Sequence, residues 1–173
     1  MQRYLRATAY PVRLRTMTPG PPGASRNATR PARLRLYAGL LASFATLFAL
    51  RVAAQALQRW APQPLLPPFA EFQGSTIPYG ILLCSQLVIL TAMAYYTFRL
   101  RSGTLTANHR AGIVLAWLGG LYMTVSVGRV AIGLAVSDAG TWFSAWIPAA
   151  LHVVLAAFVV TLAYYHVVES PPR

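Results

Sequence analysis

Read as a pattern of polar and apolar positions, the chain falls into two unequal parts. Up to residue 36, arginine, proline and glycine interrupt short apolar stretches, and no helical or strand period emerges. Beyond it come four apolar runs, at about residues 37–57, 78–98, 112–136 and 142–165, separated by short polar or proline-rich connections. A helix rises about 1.5 Å per residue, so about 20 residues cross a ~30 Å hydrocarbon core, and each run is long enough. Lipid offers the backbone no hydrogen-bond partners, so a spanning run must be helical. Helices of a soluble bundle would show a polar stripe over most of their length, and these do not. The pattern therefore predicts an all-α integral membrane four-helix bundle over residues 37–166. A disordered arm, residues 1–36, precedes it, and a short tail, residues 167–173, follows.

Composition agrees. Hydrophobic residues make up 56% of the 173 and charged residues only 10%, against about a quarter charged in soluble domains. That excludes an ordinary soluble globule and a wholly disordered chain. A single cysteine, Cys84, excludes a disulfide scaffold. Tyr37, Trp60, Tyr79, Tyr95, Tyr96, Trp142, Trp146, Tyr164 and Tyr165 fall near the run ends, where interfacial aromatics belong.

The net charge of +12 is carried entirely by arginine, and its placement matters more than its size. Eight arginines lie in the arm, from Arg3 to Arg35, and Arg99, Arg101 and Arg110 lie between the second and third runs. The other two connections carry Arg59 with Glu71, and Asp138. By the positive-inside rule both termini and the middle connection face the cytoplasm, while residues 61–77 and 137–141 face outward. The arm is then expected to grip anionic lipid rather than nucleic acid. The expected location is a bacterial inner membrane, as a homo-oligomer or part of a larger membrane complex. An organelle inner membrane is the alternative, because an arginine-rich, acid-poor arm also fits a transit peptide. Residues 36–50 followed by Ala54, Gln55 and Ala56 match a cleaved signal sequence as a further alternative.

Small residues at helical spacing predict the packing faces. They are Ala38, Ala42, Ala45 and Ala49 in the first run, and a ridge of Gly112, Ala116, Gly120, Thr124 and Gly128 in the third. The fourth adds Ala145, Ala149, Ala156 and Ala163. The last two runs should form a tight hairpin, with a kink where Pro148 removes the backbone bond to Ser144.

Against this background a few polar residues stand out, because ionisable groups inside a membrane are costly. Arg51, Gln86, Arg129 and His152 lie in the middle or outer half of their runs. Arg51, Gln55, Gln58 and Arg59 share one helical face, as do Tyr122, Ser126 and Arg129. The connection at 61–77 is too apolar to float in water, so it should lie over the bundle mouth and bring Glu71 above the arginines. The candidate site is an outward polar cluster of Arg51, Gln55, Glu71, Gln86, Arg129 and His152, able to hold an anionic ligand or a lipid head group. Snorkelling of both arginines to the interface, or a structural hydrogen-bond network, accounts for the same residues.

The expected function is a non-enzymatic binding, transport or accessory subunit. The alternative is a small membrane enzyme acting on a lipid-like substrate, with His152 as acid or base. Haem binding is a minor alternative, since His152 has no partner at its depth and His109 and His166 form only a weak metal-binding pair near one interface. No cofactor is expected. Glu71, Asp138 and Glu169 are the only acids and do not cluster in sequence, so a paired-carboxylate mechanism and a carboxylate proton relay both lack their residues.

Overall fold

The computed structural model describes residues 24–73, 77–135 and 146–171. It contains five helices: α1 (Ala24–Trp60), α2 (Phe69–Gln73), α3 (Tyr79–Arg101), α4 (His109–Ala135) and α5 (Trp146–Val168). Four of them, all but α2, are long and apolar enough to cross a membrane. The turn expected at 137–141 and the interfacial Trp142 lie outside the described residues.

α1 begins well before the first predicted run, so residues 24–36, expected to be disordered, are helical. The stretch of this helix long and apolar enough to span is Arg30–Trp60, and Pro31 lies inside α1, in the eighth position from Ala24. A proline there removes one backbone hydrogen bond of the helix. The extension is tied down from a distance. Arg30 and Arg33 each reach a carboxylate oxygen of Glu169 at 3.4 Å, and the Glu169 side chain is only 4% exposed. The Arg33 contact is not an aligned hydrogen bond, since its Nε and the facing Glu169 Oε1 lack such partners. The clasp is a charge contact that fixes the start of α1 to the end of α5.

The apolar core is built along α1, α3 and α5. Tyr37, Leu41, Phe48 and Val52 of α1 meet Met93 and Leu100 of α3 and Phe158, Leu162 and Tyr165 of α5. Tyr37, expected at an interface, is instead buried edge-to-face between Tyr164 and Tyr165, with ring centroids 6.0 and 5.9 Å away. The clasp extends α1 beyond this point, so Tyr37 no longer marks a helix end.

α4 and α5 form the most extensive interface, as the short connection between them predicts. The face α4 uses differs from the predicted ridge. Ala116, Gly120 and Thr124 are exposed, and the buried positions are Gly112, Gly119, Ser126 and Arg129. A Cβ on Gly112 would lie 2.8 Å from a Val167 methyl and 2.9 Å from its backbone nitrogen, whereas a Cβ on Gly120 would meet nothing. The reason is geometric. Each four-residue step turns a helix by about 40° beyond a full circle, so a four-residue ridge drifts off the contact line. Two helices crossing at a shallow angle bury positions repeating at about 3.5 residues instead. On α5 the expected small residues Ala149, Ala156 and Ala163 are fully buried. Pro148 is the third described residue of α5. Ser144, whose carbonyl the kink expected at Pro148 would leave unbonded, lies outside the described residues.

The helices are held in the spatial order α3, α1, α5, α4, with α2 resting on α1 and α5. No extensive packing joins α3 to α4 among the described residues. At the Glu169 end the connection is nevertheless well made. Gly103, at φ 69°, ends α3 in a left-handed turn, with its N–H bonded to the Leu100 carbonyl at 3.1 Å. The Asn108 side chain caps α4 by accepting from the N–H groups of Arg110 and Ala111. Tyr165 donates its hydroxyl to the Leu105 carbonyl at 2.6 Å. The bundle is therefore fastened at the Glu169 end and splayed along the α3–α4 seam.

Candidate functional site

Most hydroxyls in the spanning helices are satisfied within their own helix. Ser43, Thr91, Thr97, Thr124 and Thr161 each donate to the carbonyl four residues back. Polar contacts between elements occur at both ends, and those toward the Trp60 end involve the residues singled out from the sequence.

Gln55 is fully buried on α1, and its Oε1 accepts from two directions. One donor is the Arg51 guanidinium, one turn earlier on the same face. The other is Nε2 of Gln86 on α3, at 3.2 Å. Arg51 also donates to the backbone carbonyl of Phe72 in α2 and lies over the Phe72 ring, 5.7 Å from its centroid. Phe72 is itself 4% exposed. Arg51 is therefore not extended to the interface; α2 is brought down onto it. Its position depends on Gln58, whose Oε1 accepts from the Gln63 N–H at 2.8 Å and so turns the chain after α1.

Glu71 does not sit above the arginines. Its side chain is exposed, while Phe72, the next residue, faces the bundle. The expectation that 61–77 lies across the bundle end is met in that α2 packs on both α1 and α5. What it offers Arg51 is a carbonyl and a ring rather than a carboxylate.

On the other side, the Tyr122 hydroxyl of α4 is hydrogen-bonded to Nδ1 of His152 on α5, with the rings edge-to-face at 5.8 Å. That leaves Nε2 as the ring nitrogen available elsewhere. Arg129 is buried on the same face of α4 as Tyr122 and Ser126.

These two groups of residues face each other across a cavity of about 270 Å³. Arg51, Gln86, Arg129 and His152 all line it, joined by Tyr122 and Ser85. The rest of the wall is mostly apolar, including Phe48, Leu82, Ile89, Leu151 and Leu155. Four of the six residues predicted for the site thus share one cavity. Gln55 lies behind it as the acceptor joining Arg51 and Gln86, and Glu71 is outside.

Two features bear on chemistry. The described partners of Arg51 are all neutral: an amide oxygen, a peptide carbonyl and an aromatic face. Gln86 is 5% exposed, and its Oε1 has no hydrogen-bond partner, nor does Nε2 of Gln55. Each such buried group costs about 1–3 kcal/mol if left unsatisfied. The cavity thus offers guanidinium donors and the open amide oxygen of Gln86, an acceptor, beside apolar walls.

The remaining histidines are engaged elsewhere. Nδ1 of His166 accepts from the Asn108 N–H at 3.1 Å and so holds the α4 cap, while His109 lies 3.5 Å from the Ser170 hydroxyl. No cluster of three or more metal-ligating side chains exists among the described residues. Sequence reasoning missed Tyr122 as the partner of His152, the Phe72 carbonyl and the Glu169 clasp. Only the first left a signal, a tyrosine on the Arg129 face.

No family model, no curated protein and no solved structure matches the chain.

Proposed function

We propose that the protein is a small multi-pass membrane binding protein whose cavity holds the anionic group of a ligand, as a binding, transport or accessory subunit. One observation carries this reading. Arg51 is held in a mostly apolar cavity by neutral partners, so its charge is available to an anion. Arg129 and Nε2 of His152 stand around the same space as further polar groups. The arginine distribution supports a bacterial inner membrane with both termini cytoplasmic and the cavity toward the far side, the arm gripping anionic lipid.

Native mass spectrometry of the full chain in mild detergent tests the proposal. The wild type should retain an anionic molecule that Arg51→Gln releases, with affinity falling about ten- to a hundred-fold for the loss of one charge-assisted bond. Retention of nothing, or equal retention by both proteins, overturns it.

The Tyr122–His152 bond favours a second reading, a membrane enzyme on a lipid-like substrate with His152 as acid or base. His152→Gln separates the two. It abolishes turnover in the enzyme and only weakens retention in the binding protein.

A further inference from the structure

The binding reading leaves open what carries the anion and how it arrives. Resting on that reading, we infer that the ligand is an anionic amphiphile that enters sideways from the bilayer through the α3–α4 seam.

Three observations converge. Ser85 lines the cavity and is also exposed. It lies about 9 Å along α3 from Tyr79, so the mouth it marks opens at membrane depth. The seam is available because α3 is fastened through α1 and α4 through α5, with no extensive α3–α4 packing among the described residues. Above Arg51, by contrast, Phe72 covers the guanidinium with its carbonyl and ring, and Gln73 and Ile77 line the cavity at that end.

The lining is also graded. On α1, α3 and α5 the deepest lining residues are apolar, Phe48, Ile89 and Leu155, and on α4 it is Tyr122. Arg51, Gln86, Arg129 and His152 stand nearer the Trp60 end, together with Leu82, Pro148 and Leu151. That polarity suits a head group toward the Trp60 end and a chain running inward. Size supplies the last step. A cavity of about 270 Å³ holds roughly nine waters' worth of volume, at about 30 Å³ each. It encloses a head group and the first methylenes, and the rest of the chain must emerge through the open side into lipid.

The test uses the full chain in nanodiscs of phosphatidylcholine with a minority of phosphatidylglycerol, extracted into detergent for native mass spectrometry. The wild type should keep phosphatidylglycerol in preference to phosphatidylcholine. Arg51→Gln removes its head-group partner and Ser85→Trp fills the mouth, so both should lose it. Val88→Trp, on the same helix at a 70% exposed position outside the cavity, should keep it. Undiminished retention by Ser85→Trp overturns lateral entry. Thermal stabilisation by inorganic phosphate that depends on Arg51, with no lipid retained, overturns the amphiphile and leaves the anion site standing. Neither lipid nor phosphate binding overturns both.

Should Ser85→Trp not fold, wild-type affinities for alkyl phosphates of increasing length decide. A rise of about three- to four-fold for each early methylene supports the inference, and a flat series overturns it.

Discussion

The two ends of this bundle use the same side chain in opposite settings. At the Glu169 end, Arg30 and Arg33 converge on one buried carboxylate, and tyrosine rings pack beneath them. At the Trp60 end, Arg51 lies against an amide, a peptide carbonyl and a ring, beside a cavity. The first arrangement neutralises its charge internally and closes the helices on each other. The second keeps charge beside open space while the helices splay. Arginine in this fold is thus paired where a carboxylate is at hand and held by dipoles where none is.

The closed end should be the more sensitive to volume. Gly112→Ala puts a methyl against the Val167 backbone, so it should lower stability by about 2–3 kcal/mol through overpacking. Gly120→Ala, in open space, should be neutral or raise stability by up to about 1 kcal/mol from helix propensity. Thermal unfolding of the two variants in one detergent checks the contrast, and equal effects would break the distinction between the packed face and the lipid face of α4.

Charge removal should have opposite signs at the two ends. Glu169→Gln leaves two arginines without their carboxylate. Because both are partly exposed, the loss should be about 1–2 kcal/mol, below the figure for a fully buried pair. Arg51→Gln removes a half-buried cation that no described carboxylate compensates, so the ligand-free protein should melt at the same temperature or higher. A large destabilisation by Arg51→Gln would show that Arg51 is a structural strut and would erase the comparison.

The closed end and the site were not equally legible in the sequence. The spans could be read because apolar runs of this length have few other uses, and Arg51, Gln55 and Gln86 because polar side chains at mid-span are rare enough to share a purpose. The Phe72 carbonyl could not, since a backbone acceptor leaves no trace in residue type. Nor could the clasp: Glu169 lies at the far end of the chain from Arg30 and Arg33, and only the fold brings them together. The same distance explains the misplaced boundary at residue 36. Local proline and arginine content argued for disorder, and a tertiary contact holds the helix. A carboxylate is the obvious partner for arginine, so the sequence points to Glu71, but a one-residue shift on a short helix turns the side chain by about 100°.

The smallest effect probes the site's finest feature. Tyr122→Phe keeps the ring that packs edge-to-face on His152 and deletes only the hydroxyl, so stability should fall by about 0.5–1.5 kcal/mol. The informative readout is the protonation pattern of the imidazole. While Tyr122 donates to Nδ1, the neutral ring carries its proton on Nε2 and offers a donor to the cavity. Without the hydroxyl, Nδ1 loses that constraint and the two tautomers can interchange. Nitrogen-15 shifts of His152 should therefore report one tautomer in the wild type and a mixture in Tyr122→Phe, with a several-fold weaker hold on the anionic ligand. An unchanged tautomer with unchanged binding would mean that the Tyr122–His152 bond belongs to packing, and would leave Arg51 and Arg129 as the cavity's donors.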